Sequence, residues 1–382
     1  MSDARLVPSD TDAAYATALA SLGLSPGRLR KLLIDHSPAG AWQALAEGRH
    51  PRDPEGALRT RVTPAVLRVA FASRGSSPVA VRVLGLPGYP ASLAGDIDPP
   101  AVLFAVGDLD AWERRPRVAI VGTRSATASG RAVAAELGSA LADAGVVVIS
   151  GLARGIDSAA HGAVVQSSGA APPVAVLGTA VDAKVTAAQA VLRQKVAAVG
   201  VLVSELPPGA VGARWWFAVR NRVMAALAHV VVVVECHENG GALHTVAAAR
   251  RRGVFVAAVP GSTRSPASAG TNALLVQGAH AVRDAGDVMA LLTSAATNHP
   301  EIPGPAAGVS SSRSGSGRPV RHMPAGDATR TVRSALDHDP ASLDVVVQRC
   351  GLAVGEVALA LERLADSGIA VSEHGWWSLS VD

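Results

Sequence analysis

The residue types and spacings best suited to chemistry fall in one stretch, residues 118–161, VAIVGTRSATASGRAVAAELGSALADAGVVVISGLARGIDSAAH. Two apolar runs, 118–121 and 146–150, each lead into a loop that combines glycine with arginine. The first loop is Gly122-Thr123-Arg124-Ser125 and the second is Gly151-Leu152-Ala153-Arg154-Gly155-Ile156-Asp157. Buried parallel strands read as continuous apolar runs, and the helix-period segment between them reads as the crossover. Ligands of open α/β sheets bind at the carboxyl ends of strands. Glycine lets backbone N–H groups approach a phosphate, and an arginine fork offers it two donors. The stretch therefore reads as a phosphate-binding rim. Either loop alone is equally well an ordinary strand-to-helix turn with solvated arginines. Two such loops on consecutive strands are harder to explain that way. Neither loop fits G-x-x-x-x-G-K-[ST] or G-x-G-x-x-G, so a P-loop and a standard dinucleotide fingerprint are both excluded.

Further candidates recur at later strand ends. Arg220, Asn221 and Arg222 stand near a helix start after the run 201–206, where two arginines flanking an asparagine can hold another phosphate. Pairing of these arginines with carboxylates is the alternative. Trp215, Trp216 and Phe217 concentrate the scarce aromatics beside them, to stack a base or to pack the loop onto the sheet. After the run 231–236 come Gly240 and Gly241, opening a helix that carries Thr245, and after 254–259 comes Gly261. Glu235 is expected to face the rim, as a general base or as the partner that orients an arginine. His237 and His244 lack regular ligand spacing, so no metal site is expected. Asp157 and His161 share a helix face, and Asp157 is expected to cap that helix and fix the second loop.

The elements that must position these residues are legible as a pattern. From 118 to about 292, apolar runs (118–121, 146–150, 174–178, 201–206, 231–236 and 254–259) alternate with helix-period segments. That alternation predicts a doubly wound, mostly parallel α/β sheet with helices on both faces. Residues 1–80 read as a small helical domain, with Ser25-Pro26 as a helix start. Its Gly23-Leu24-Ser25-Pro26-Gly27 turn resembles a helix–hairpin–helix, although a plain helical bundle explains it as well. A Pro-rich connector then leads into an edge strand, AVLFAVGDL, so the sheet domain spans 81–293. Residues 294–327 turn to Ser, Gly, Pro and Arg, a flexible linker by composition. Residues 328–382 read as three short helices and a hairpin around His374-Gly375, a winged helix. Its second-of-pair helix carries Glu356, Glu362 and Asp366, which favours protein contacts over groove reading.

Composition bounds the partners. The chain has 35 Lys+Arg, only three of them lysine, against 31 Asp+Glu. A basic isoelectric point near 9.6 permits a polyanion partner without demanding one. Two cysteines, Cys236 and Cys350, are too few for a disulfide scaffold or a zinc site and fit a reducing cytoplasm. The first residues carry no apolar signal core, and no unbroken run of eighteen apolar residues occurs, so a cytoplasmic protein without a membrane span is expected.

These motifs, in this order, resemble the DNA-processing protein A (DprA/Smf) family. The resemblance rests on VGTRSATASG (121–130), SGLARGIDSAAH (150–161), VAVLGTAVD (174–182), SELPPG (204–209), the RNR of 220–222, GGALHTVAAA (240–249), VPGS (259–262) and GTNALLVQGA (270–279). It covers nearly the whole chain, including the terminal domains. It implies an extended Rossmann-like core with no nucleotide cofactor and no catalysis. It also implies single-stranded DNA binding in a positive pocket, dimerisation, and help in loading a RecA-type recombinase during natural transformation. Carried onto this sequence, Gly122, Thr123, Arg124 and Ser125 form the first phosphate motif. Gly151, Arg154, Gly155 and Asp157 form the second, and Arg220, Asn221 and Arg222 the third, with Gly240, Gly241, Thr245 and Gly261 completing the rim. The chain departs from the family pattern after Asp182, where a Tyr-Pro pair is usual, at Ala218, where proline is usual, and at Gly240, where serine is usual. The competing reading is a Rossmann-like nucleotide enzyme of phosphoribohydrolase type, or a nucleotide sensor, suggested by Gly240-Gly241 with Glu235. The G-G-x-G-T-x-x-E helix expected of such an enzyme is missing, because Gly241 is followed by ALHT.

Overall fold

The computed structural model describes residues 9–298 apart from 77, 170 and 214, and residues 325–379 apart from 337–340, 353, 367–368 and 374–375. It divides into two compact units, Met1–Ala307 and Gly308–Asp382.

The first unit opens with α1 (Asp10–Ala20), α2 (Pro26–Leu33), α3 (Pro38–Ala46) and α4 (Pro64–Ser76). Serine caps followed by proline start α2 and α3: Ser25 accepts from the Arg28 N–H and Ser37 from the Gly40 N–H. Then come β1 (Ala80–Val83), α5 (Ala91–Ala94), β2 (Val102–Gly107), β3 (Arg117–Val121), α6 (Ala128–Asp143), β4 (Val147–Ser150) and α7 (Ile156–Val164). The chain continues through β5 (Val174–Leu177), α8 (Ala187–Val199), β6 (Val201–Ser204), α9 (Trp216–Leu227), β7 (Val230–Val233), α10 (Ala242–Arg250) and β8 (Phe255–Ala258). It ends with α11 (Ala269–Val276), β9 (His280–Ala281) and α12 (Ala285–Asn298).

Nine strands form one sheet in the order β1-β2-β6-β5-β4-β3-β7-β8-β9. The pairs from β6 to β9 are parallel, and β1–β2 and β2–β6 are antiparallel. The chain winds outward from β3 to β6, then returns to place β7 on the other side of β3. That reversal opens a crevice at the carboxyl ends of β4, β3 and β7. The expected edge strand, β2, lies inside the sheet, because β1 pairs along its outer side.

Alternate residues of the central strands enter separate cores. Ala119, Val121, Val231 and Val233 join one cluster with α9 and α10, while Val118, Ile120, Val230 and Val232 join another with α6, α7 and α12. A third core binds the N-terminal helices, through Leu19, Leu32, Leu45 and Leu58, to β1, β2 and the Phe104 side chain. Residues 10–76 therefore belong to the same compact unit as the sheet.

Of the segment assigned by composition to a linker, residues 294–298 continue α12 and 325–327 open α13; the rest lies outside the described residues. The second unit holds α13 (Ala325–Leu336), β10 (Ala341–Ser342), α14 (Leu343–Cys350), α15 (Val354–Asp366), β11 (Ala370–Glu373) and β12 (Trp376–Leu379). Val332, Leu336, Val346, Val357 and Leu361 close its core beside a β10-β12-β11 sheet, the winged-helix arrangement. The hairpin tip at 374–375 lies outside the described residues.

His161 of α7 is fully buried, and among the described residues neither ring nitrogen has a well-formed hydrogen bond, although the Val148 and Val174 backbone lies close enough to pull weakly on it. Burial pushes its pKa down to about 4. The unfolded chain therefore takes up a proton near pH 6.5 that the folded chain refuses. The resulting stability is complete above pH 6.5 and is lost as pH falls toward 4, by up to about 3 kcal/mol. In thermal melts across that window, His161→Leu is expected to lose less stability on acidification than the native chain. Parallel pH profiles for the two proteins would refute this assignment.

Candidate phosphate-binding site

The crevice at the strand reversal holds a cavity of about 410 Å³. Its walls come from the loop after β3 (Gly122, Thr123, Arg124), the start of α7 (Asp157), the first half of α9 (Phe217, Arg220, Asn221) and the start of α10 (Gly240, Gly241, Thr245). Such a volume is within the range of small-ligand sites.

The site is built on a buried ion pair. Arg220 and Asp157 are 6 % and 4 % exposed, with Nη2 donating to Asp157 Oδ2 at 3.3 Å. The same carboxylate oxygen accepts from the Gly151 N–H at 3.1 Å. Arg220 donates its Nε to Asn221 Oδ1 at 2.9 Å and its Nη1 to the Val176 carbonyl. Asn221 in turn donates to the Gly241 carbonyl at 3.3 Å. Burial raises the Asp157 carboxyl above its ordinary range, against the pull of Arg220 and the Gly151 N–H, and lowers the Arg220 guanidinium. Gly151 is dictated by this arrangement: a Cβ there would lie 1.6 Å from Arg220 Nη1. Asp157 fixes the loop as expected, but it does not cap α7. The N-cap is Gly155, at φ 93°, and Asp157 is the second residue of the helix, reaching back to Gly151.

Arg124 is the exposed counterpart. Its guanidinium carbon lies 4.6 Å from the centre of the Phe217 ring, over its face. Its loop is held from both sides: the Thr123 N–H donates to the Glu235 carbonyl at 2.8 Å and the Ile156 N–H to the Thr123 carbonyl at 3.3 Å. Arg154 is exposed and donates Nε to the Arg124 carbonyl at 3.3 Å, so it braces the Arg124 loop instead of lining the cavity. At the opposite wall Thr245 is 1 % exposed, and its hydroxyl has no hydrogen-bond partner among the described residues. An orphan hydroxyl lining a cavity invites a ligand atom or a water.

The sequence-derived set divides. Gly122, Thr123, Arg124, Asp157, Arg220, Asn221, Gly240, Gly241 and Thr245 line one cavity. Gly151, Arg154 and Gly155 support it from behind, and Ser125 is exposed beside it. Arg222 does not belong. It points to the other side of α9, donating to Glu205 Oε2 and to the Asp98 carbonyl. Residues two apart on a helix are on different faces, which separates Arg222 from Arg220. Gly261 lines a different recess with Glu235 and Thr127. Glu235 neither meets an arginine nor faces the cavity: it accepts from the Thr127 N–H at 2.9 Å and the Thr127 hydroxyl at 2.5 Å, at the start of α6. Met224 and His244 also line the cavity. Met224 was missed, although its place one helical turn beyond Arg220 was available as a signal. Among the described residues no group of three or more His, Cys, Asp and Glu could hold a metal.

The family model for DNA recombination-mediator protein A matches residues 81–293, and that for the DprA winged helix domain matches 318–364. The chain is 40 % identical over 285 residues to a DNA processing protein DprA of Mycobacterium tuberculosis (strain ATCC 25618 / H37Rv), covering 73 % of this chain and 69 % of that one. It is 36 % identical over 200 residues to DNA processing protein DprA of Bacillus subtilis (strain 168), covering 52 % of this chain and 67 % of the relative. The crystal structure of DNA processing protein A from Streptococcus pneumoniae superposes with a TM-score of 0.59 at 29 % identity, covering 72 % of this chain and 95 % of that chain. With the family model spanning more than half of the sequence and the Mycobacterium tuberculosis relative covered to more than two thirds, the chain belongs to the DprA/Smf family of DNA recombination-mediator proteins.

Proposed function

We propose that this protein processes DNA by holding a single strand through its phosphates at the Arg124–Arg220 cavity, without cleaving it. In this reading it protects incoming DNA during natural transformation, acts as a homodimer, and hands the strand to a RecA-type recombinase. The observation that carries it is the cavity itself. One exposed guanidinium, Arg124, stands beside a second, Arg220, fixed by its carboxylate, at the carboxyl edge of the sheet. Arginine donors at a strand edge suit a polyanion backbone, and the aromatic faces of Phe217 and Trp215 suit unstacked bases. No described helix is long and apolar enough to cross a membrane. A gel-shift titration with single-stranded, duplex and mononucleotide competitors tests the reading; displacement by duplex as effective as by single strand would overturn it.

Arg124→Ala is expected to weaken single-strand binding about equally across sequences. The slope of log affinity against log salt should fall by about 0.7, one phosphate contact. Unchanged affinity and slope would remove Arg124 from the interface. Hydrolysis of nucleoside monophosphates is expected to be undetectable, since Glu235 is committed to the α6 start and lies outside the cavity. Glu235→Gln should leave DNA affinity unchanged at temperatures where the fold persists. Turnover abolished by that substitution would instead establish an enzyme.

A further inference from the structure

A second cavity, of about 260 Å³, opens on the same edge of the sheet. One wall is the α1–α2 turn (Ser21, Gly23, Leu24) and the other is the β6–α9 loop (Leu206, Ala210, Trp216). Because β2 runs antiparallel to β6, the start of β2 and the end of β6 meet here. The α1–α2 turn is the hairpin-like turn evident in the sequence, and the phosphate cavity makes no use of it.

Four observations connect the two cavities. Phe217 lines the first and Trp216 the second, so consecutive residues of α9 border both. Between them lies the end of β5: a Cβ on Gly178 would come within 2.8 Å of the Phe217 ring, so α9 rests directly on that strand. Trp215 and Trp216 stack with ring centres 4.3 Å apart and planes 24° apart, and Trp215 is 39 % exposed. At the outer rim Arg61 stands beside Gly23, where a Cβ would lie 3.4 Å from its Nη2. Arg61 is exposed and has no ion-pair partner among the described residues.

The interior has the opposite character from the rim. Glu205 lines it, with a side chain only 8 % exposed; Oε2 takes Arg222, and Oε1 has no hydrogen-bond partner among the described residues. A buried acceptor without a donor is costly unless a ligand supplies one. A carboxylate interior repels phosphate but accepts the N–H edge of a base, and the Arg61 rim takes the phosphate. Burial pushes the Glu205 pKa up to about 7, which eases the approach of a strand that is itself an anion.

From this arrangement we infer that a single strand held at Arg124 runs on across Phe217 and the Trp215–Trp216 stack into the second cavity, where a nucleobase docks against Glu205 with its phosphate outward at Arg61. This rests on the single-strand reading above and extends it by a second subsite. The path from β3 to β6 is three strand steps, about 14 Å, a distance a few nucleotides can bridge.

The experiment is fluorescence anisotropy on the full chain with two labelled probes, a dinucleotide, too short to reach from one cavity to the other, and a long oligonucleotide (about 20 residues). Arg61→Ala and Ala210→Trp, the latter filling the cavity mouth, are each expected to weaken the long probe about tenfold and to leave the short one unchanged. Arg124→Ala should weaken both. Thermal melts confirm that each variant is folded. If Arg124→Ala weakens both probes while Arg61→Ala and Ala210→Trp are silent, the second subsite is wrong and the first stands. Equal weakening of both probes by Arg61→Ala also overturns it. If the native chain binds neither probe, the single-strand reading fails and takes the second subsite with it.

Discussion

The structure around the cavity depends on one interaction, the buried pair between Arg220 and Asp157. Removing two charges from water costs several kcal/mol per ion, and only close geometry with further hydrogen bonds offsets it. Both conditions hold. Asp157 takes the Gly151 N–H as well as the guanidinium, and Arg220 also donates to Asn221 and the Val176 carbonyl. The pair thereby ties the ends of β4 and β5 to α7 and α9. It also fixes what the chain can carry at 151, since the guanidinium occupies the space a side chain would need.

That arrangement divides labour between the two cavity arginines. Asp157 neutralises Arg220, so the uncompensated charge belongs to Arg124. A buried, paired donor defines shape, and an exposed one over Phe217, unpaired among the described residues, supplies field. The loop beside the pair is strained. Leu152, the residue after Gly151, has φ 52°, a left-handed conformation that costs on the order of 1 kcal/mol or more for such a residue. It persists because its neighbours over-determine the loop: Gly151 is held by Asp157, and Leu152 is itself packed in the core.

The sheet and most of the cavity were legible because their signals are local. Six apolar runs gave the six parallel strands from β3 to β8, and the glycine–arginine loops lie where such strands must end. What was not legible depends on rotation or on distant partners. Arg220 and Arg222 look alike in sequence, and only helix phase sends one to the cavity and the other to Glu205. Glu235 follows β7, and strand alternation places it with Val231 and Val233, toward the cavity. The chain leaves the strand at Val233 and its side chain turns to Thr127 instead. The position of β2 was missed because β1, AVRV at 80–83, is too short to announce a strand.

Arg222 therefore has a different role from the one its motif suggests. Its guanidinium meets Glu205 and Asp98, and Asp98 also takes Arg30 of α2. Although burial pushes the Asp98 carboxyl upward, Arg222 and Arg30 hold it below its ordinary range, so it stays charged and its pairs with both arginines persist at neutral pH. One turn of α9 thus has two anchors on opposite faces. Arg220 fixes the phosphate cavity, and Arg222 fastens the N-terminal helices to the sheet through Asp98. A shift of α9 large enough to reposition Arg220 would have to break the second anchor, leaving Glu205 and Arg222 buried without partners. The N-terminal helices, which contribute nothing to the lining of the first cavity, are in this way part of what holds its shape.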